Sequence, residues 1–448
     1  MATTQNATHR FLNIKSEASF TTVLVIAFLC FALIGLAHHE MWRDELHAWM
    51  IARDSSSLPE LFSNLRYEGH PALWHVCLFF LSRFTRNPIF MQLFHLAIAA
   101  SCVYLFARFS PFTRLQKILF TFGYFPLFEY GIISRNYNLG ILFIFLFCIF
   151  FQSRYKSYLI LSVLLVLLAN TNAFTFIIAV SLSMTLVLER IFDKTINQSF
   201  CNNKLNLILS ITIFVGGIIL ALIQIIPPAD SDFTGDDDQV VSPAQVDFIK
   251  IERLASIIGR IWKVYVPIPH ISSYHFWESN ILTNGPLILK IVALFLSPCL
   301  LGIAIALLIR RPVILFMYLS STLGILLFHY LKFQGSLRHS GYLFFIFLAC
   351  CWLLEDSSKS LDFNRILEKI LDFFKRYKNQ YLTILLCSHV IAAMFALSMD
   401  IKYPFSASKE VVNFIESQGL RDTLTVGSLD MPVSPIAALL DKKIYYPE

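Results

Sequence analysis

Charge is scarce in this chain. Only 15% of its 448 residues are Asp, Glu, Lys or Arg, against 56% hydrophobic residues and a mean hydropathy of +0.63. So little charge excludes a water-soluble fold of this size and implies an all-α, polytopic membrane protein. Metal-ligand and disulfide spacings are also missing from its nine cysteines. Most lie in apolar runs, and the adjacent Cys350-Cys351 point about 100° apart on a helix, which argues against a redox pair. No small-residue cleavage site follows the first apolar run. His38-His39-Glu40-Met41-Trp42 is a poor exit for signal peptidase, so the N-terminal segment reads as an uncleaved anchor. Internal repeats are absent as well, which weakens a transporter built on inverted halves.

What is present is a series of apolar runs, near 20–37, 89–107, 116–133, 139–152, 158–174, 176–188, 206–226, 286–309, 313–331, 341–354 and 381–399. A bilayer core takes about 20 apolar residues per helix, so these give about eleven crossings. The run 72–81 is half a membrane thick and reads as a re-entrant or interface-lying helix. With that run not crossing and the N-terminus inside, the cytoplasmic segments carry Arg10, Lys15, Arg108, Arg114, Arg154, Lys156, Arg190, Lys194, Lys204, Arg310, Arg311 and the basic residues from Lys359 to Lys378. That is the distribution the positive-inside rule asks for, and it accounts for the formal net charge of +6 without a nucleic-acid partner.

The division that follows is a cytoplasmic N-terminus (1–19), a transmembrane domain (20–399) with a large first outward loop (38–88) and another at 227–285, and an outward tail (400–448). Segment 227–250 reads as a loop and 245–264 as an amphipathic interface helix. The tail alternates helix-like and strand-like stretches, with strands near 423–426 and 443–446, and reads as a small α/β cap too short for a core of its own. Aspartates 230, 232, 236, 237 and 238 resemble a metal loop, but their loose spacing favours a solvated loop. The acceptor patterns Asn6-Ala7-Thr8 and Asn197-Gln198-Ser199 fall on the inner side.

The remaining polarity is gathered into short clusters, and this topology puts all of them outside. After the first span comes Trp42-Arg43-Asp44-Glu45-Leu46-His47-Ala48-Trp49. On a helix Asp44 and His47 share one face, while Trp42, Glu45 and Trp49 share another that would anchor at the headgroups. A carboxylate above the membrane suits a sugar transfer, because the attacking hydroxyl must lose its proton. Asp44 is the first candidate base and Glu45 the second. Glu68-Gly69-His70-Pro71 closes the same loop and can line the same cavity, while His75 reads as a buried, hydrogen-bonded histidine. Arg135-Asn136-Tyr137 sits at the outward end of the third span, where an arginine fork can hold phosphate, and Glu129, deeper, takes Arg135 as its expected partner. Lys332, Arg338 and His339 add cations on that side, fitting a departing anionic phosphate.

Taken in order, Asp44-Glu45-x-His47, Tyr67-Glu68-Gly69-His70-Pro71-Ala72-Leu73-Trp74, Ser134-Arg135-Asn136-Tyr137 and Arg338-His339 resemble the C-type membrane glycosyltransferases related to protein O-mannosyltransferases and lipid A aminoarabinose transferases. The resemblance covers about residues 20–350 in arrangement. It implies an inverting enzyme of a prokaryotic plasma (inner) membrane that moves a sugar from a polyprenyl-phosphate donor to a lipid, glycan or protein acceptor on the outer face. The family's first-loop acid falls on Asp44. Metal-dependent relatives place carboxylates in the second outward loop, where this chain reads Arg135-Asn136-Tyr137-Asn138; that departure counts against a divalent cation, since arginines can offset the phosphate charge instead. The alternatives are a transporter or lipid flippase and a non-catalytic scaffold of the same fold.

Overall fold

A computed structural model describes residues 2–192, 204–226, 228, 251–271, 276–354, 361, 363–442 and 444–445, with side chains from residue 16 onward except those of Tyr155, Asp430 and Met431. The aspartates of 230–238, the 197–199 acceptor pattern, Cys201, Lys194 and Lys359 lie outside the described residues, as do the side chains of Asn6, Arg10 and Lys15. Helix accounts for 76% of the described residues. Among the described residues eight helices are long and apolar enough to cross a membrane, as a polytopic membrane protein requires. They are α1 (Ala2–His38, apolar from Ser16), α5 (Ile89–Phe109), α7 (Tyr137–Phe150, continued to Arg154), α9 (Ala173–Phe192), α10 (Lys204–Ile225), α12 (Leu287–Leu308), α13 (Pro312–Leu331) and α16 (Arg365–Lys402).

Between them lie shorter elements. These are α2 (Arg43–Asp54), α3 (Leu58–Asn64), α4 (Leu73–Ser82), α6 (Arg114–Thr121), α8 (Leu159–Ala169), α11 (Ile251–Tyr265), α14 (Leu337–Ser340), α15 (Tyr342–Leu353), α17 (Ser408–Ser417) and α18 (Asp430–Leu440). Helix α15 is the centre of the bundle. It carries no charged residue, and each of its twelve residues is buried, with α7, α12 and α13 packed around it.

The run 116–133 is not one helix. After α6 the chain enters a π-helical turn at Tyr124–Glu129, all of it buried, in which the Tyr130 amide reaches back five residues to the Phe125 carbonyl at 2.8 Å. Pro126 has no N–H to continue an α-helix. Gly131 then passes so close to the Pro126 and Leu127 carbonyls that a Cβ would lie 2.3 and 2.4 Å from them. Hydropathy is blind to both residues. The effect is a wide turn wedged against α16 that delivers Glu129, Ser134 and Arg135 to the mouth of the bundle.

The tryptophans of α2 do not anchor at a lipid surface. Trp49 is fully buried and Trp42 half-buried, because α4 and α18 pack over α2. Helix α11 is packed on α12 rather than lying free. Arg154, one of the basic residues read as cytoplasmic, is fully buried, paired to Glu189 at 2.7 and 3.0 Å and set 3.8 Å from the Phe151 ring centre. In the tail, α17 and α18 flank a single parallel bridge between Val426 and Tyr445. That unit docks on the first loop through Asp441, whose carboxylate meets Arg53 at 2.9 Å and Arg86 at 2.7 Å.

Candidate functional site

Asp44 and Glu45 occupy the first turn of α2, where the helix dipole favours carboxylates. Neighbours on a helix diverge, and these two go to different places. One Asp44 oxygen, Oδ2, receives both the Arg135 guanidinium at 2.9 Å and the Arg338 guanidinium at 3.2 Å, while Arg43 approaches Oδ1 at 3.9 Å. Arg135 also donates to the Asp44 carbonyl at 2.8 Å. Burial pushes the Asp44 carboxyl up, but Arg135, Arg338 and Arg43 outweigh it and hold it below the usual carboxylate range. The three segments that meet here are separated in sequence by 91 and 294 residues.

Arg338 is the hub. Its second terminal nitrogen donates to Glu278 Oε1 at 2.8 Å, and the guanidinium lies 5.1 Å from the ring centres of both Trp42 and Trp277. The Tyr130 hydroxyl donates to the Arg338 carbonyl, an approach that Gly341 permits because a Cβ there would meet that hydroxyl at 2.3 Å. Phe405, from the tail, packs edge-on against Trp277 with ring centres 4.8 Å apart and closes the aromatic wall. Glu278 reaches Arg338 from a left-handed backbone (φ 61°), which costs a non-glycine residue about 1 kcal/mol or more.

Glu45 is sealed. Oε1 accepts the Ser134 amide at 2.7 Å; Oε2 lies 3.1 Å from His39 Nε2 and accepts the Trp42 amide at 3.2 Å. The other His39 nitrogen lies 3.0 Å from Asp400. Burial alone would lower His39, yet the Glu45 and Asp400 carboxylates win and raise it to about 10, so a buried imidazolium clamps α2, α16 and the strand of chain before Arg135. Glu45 therefore has no free oxygen to act as a base.

The other expected residues divide. His47 pairs with Glu68 at 3.1 Å at the rim; burial pushes Glu68 up, but His47, with help from His75 and His70, pulls it down to about 2. His70 lies within charge range of Arg135, Glu68 and Asp44, and burial, with the Arg135 charge, holds it below the usual imidazole range. Tyr137 lies under Arg135, ring centre 6.0 Å away, and stacks on Tyr130. Asn136 is deeper, accepting from Asn172 at 3.4 Å beneath the site. His339 turns away from Arg338: its Nδ1 accepts the Ser336 amide at 2.9 Å as a helix cap, and its ring is boxed by Phe174, Phe333 and Tyr137. Glu129 does not pair with Arg135 but accepts from Tyr124 at 2.7 Å and Trp277 at 3.0 Å, and Lys332 stays exposed. His75 is buried, with no hydrogen-bond partner at Nδ1.

Trp277, Glu278, Arg260 and Lys263 join the site without having been singled out in the sequence. Arg260 and Lys263 stand one turn apart on α11, the face that leans on the segment before Arg338. That i, i+3 pair of cations on an amphipathic helix was the available signal. Arg260 donates to the Gly335 carbonyl at 2.8 Å and the Ser336 carbonyl at 3.4 Å. Burial lowers Lys263 to about 8, against the raising effect of Glu278. Among the described residues no group of three or more His, Cys, Asp or Glu side chains is placed to hold a metal ion. The arrangement can hold an anion on its guanidinium groups, with the Asp44 and Glu278 carboxylates beside it; Asp44 is the one that two arginines share.

No protein-family model matches this chain, and neither a curated protein nor a solved structure matches it.

Proposed function

We propose that the protein is a membrane glycosyltransferase of the C-type class, carrying a sugar from a polyprenyl-phosphate donor to a lipid, glycan or protein acceptor at the outer face of a prokaryotic plasma membrane. In this reading the chain crosses eleven times, by its eight long helices and by 116–133, 158–174 and 341–354, with the N-terminus inside and the tail as a small outward α/β cap. One observation carries it: the Asp44 carboxylate and the Arg135 and Arg338 guanidinium groups, from distant segments, share one ion cluster walled by Trp42 and Trp277.

The chemistry follows from that cluster. The donor phosphate takes the guanidinium groups from Asp44, leaving the carboxylate free to accept a proton. The acceptor hydroxyl oxygen attacks the anomeric carbon from the face opposite the phosphate, its proton passing to Asp44. The anomeric carbon–oxygen bond breaks as the new one forms, and its electron pair leaves on the phosphate oxygen, stabilised by Arg135 and Arg338. His47, Glu68, His70 and Tyr137 line the approach.

Mass analysis of cell-surface glycans from cells with and without the gene tests this. Loss of one sugar from one glycan or glycolipid supports it, and identical profiles count against it. Asp44→Asn separates the readings: a transferase loses turnover by a factor of about 10² or more, whereas a flippase is left almost unaffected.

A further inference from the structure

We propose that Lys263, with Arg260 behind it, forms a second anion position on the far side of Arg338, so that the site takes a lipid diphosphate rather than a monophosphate. The proposal rests on the lipid-phosphate reading above and refines it.

Arg338 serves two carboxylates with its two terminal nitrogens, Asp44 on one and Glu278 on the other. The two anions therefore sit side by side at the spacing at which a guanidinium fork can meet oxygens of two linked phosphates. The first position is ringed by Arg135, Arg338 and Arg43. At the second, Glu278 meets Arg338 at 2.8 Å, Arg260 holds the Gly335 and Ser336 carbonyls just before Arg338, and Lys263 stands one turn on along α11, both of these cations within charge range of Glu278.

Charge balance singles out this second position. Arg260 contacts backbone carbonyls and the Ser340 hydroxyl, with no carboxylate in contact, and Lys263 has no hydrogen bond or ion pair among the described residues. Arg260 and Lys263, both partly buried, share Glu278 with Arg338, and even with Glu129 in charge range of Lys263 the cations outnumber the carboxylates in a place where desolvated charge is costly unless compensated. Glu278, the carboxylate in contact with Arg338 there, is held from a left-handed backbone in the segment between α11 and α12, so it can be displaced with relief of strain rather than against it. A second phosphate would supply the missing negative charge and draw on Lys263.

The test uses the full-length protein in lipid nanodiscs, titrated with farnesyl diphosphate, farnesyl monophosphate and farnesol. An extra set of charge-assisted contacts makes the diphosphate bind roughly tenfold or more tighter than the monophosphate. Lys263→Gln brings the diphosphate down to the monophosphate level, and Lys263→Arg keeps the difference. Equal affinities of the two phosphates for the unmodified protein overturn the proposal, and that comparison needs no variant to fold. So does a difference that survives Lys263→Gln, or a loss that falls equally on both phosphates. If neither phosphate binds better than farnesol, the lipid-phosphate reading itself fails. If the monophosphate binds well and the diphosphate no better, only the second position fails.

Discussion

Asp44→Asn should tighten binding of a lipid phosphate while abolishing turnover. The Asp44 Oδ2 atom occupies both guanidinium groups that a phosphate needs, at 2.9 and 3.2 Å. A headgroup must displace it. The pairs are half-sheltered, each side chain 15–16% exposed, so they are stronger than surface ion pairs and weaker than fully buried ones. Charge-assisted hydrogen bonds of this kind are worth about 1.5–3 kcal/mol, and removing the competing charge should therefore strengthen phosphate binding by roughly 10- to 100-fold. Turnover falls by about 10² or more, because asparagine cannot accept the hydroxyl proton. The assay is a farnesyl monophosphate titration of wild type and variant in nanodiscs, paired with glycan mass analysis of cells carrying each. If binding weakens in Asp44→Asn, Asp44 is a structural counter-ion that keeps Arg135 and Arg338 together, and the exchange of carboxylate for phosphate is refuted.

Arg135→Lys keeps the charge but loses the fork, and should weaken monophosphate binding by about tenfold in the same titration. His39→Ala leaves Glu45 and Asp400 buried without their cation and should cost about 3–5 kcal/mol, read as a fall in the thermal unfolding midpoint. Because the folded His39 is raised to about 10 from an ordinary value near 6.5, its contribution is complete below pH 6.5 and is lost as pH climbs toward 10. The wild-type midpoint should drop across that window, and the His39→Ala midpoint should drop less. Gly131→Ala drives a methyl into two backbone carbonyls that cannot yield, so it should reduce the yield of monodisperse protein in size-exclusion chromatography, where Gly216→Ala, in open space, should not.

Much of the bundle was legible because hydropathy reads burial and length, and eight of the runs are helices of spanning length. The split of 116–133 was not, since Pro126 and Gly131 act through a missing N–H and a missing Cβ that leave the apolar pattern intact. In the site, the divergence of Asp44 from Glu45 follows from one step around a helix. Which of the two faces the opening depends on His39 reaching Asp400 across 361 residues, a contact with no local trace. Arg338 was legible as a cation near the last spans, but its neighbour His339 is spent on a helix cap that only the Ser336 geometry discloses. Glu278 was invisible because a left-handed glutamate has no sequence signature, and its loop lies in a stretch read only as a connection.

The most direct measurement is the paired amount of lipid-linked sugar and finished surface glycan in cells carrying wild type or Asp44→Asn, expressed to equal levels. The account predicts that the variant accumulates an unspent polyprenyl-linked sugar and lacks one sugar on its acceptor. Unchanged levels of both, with the variant folded and in the membrane, would contradict it.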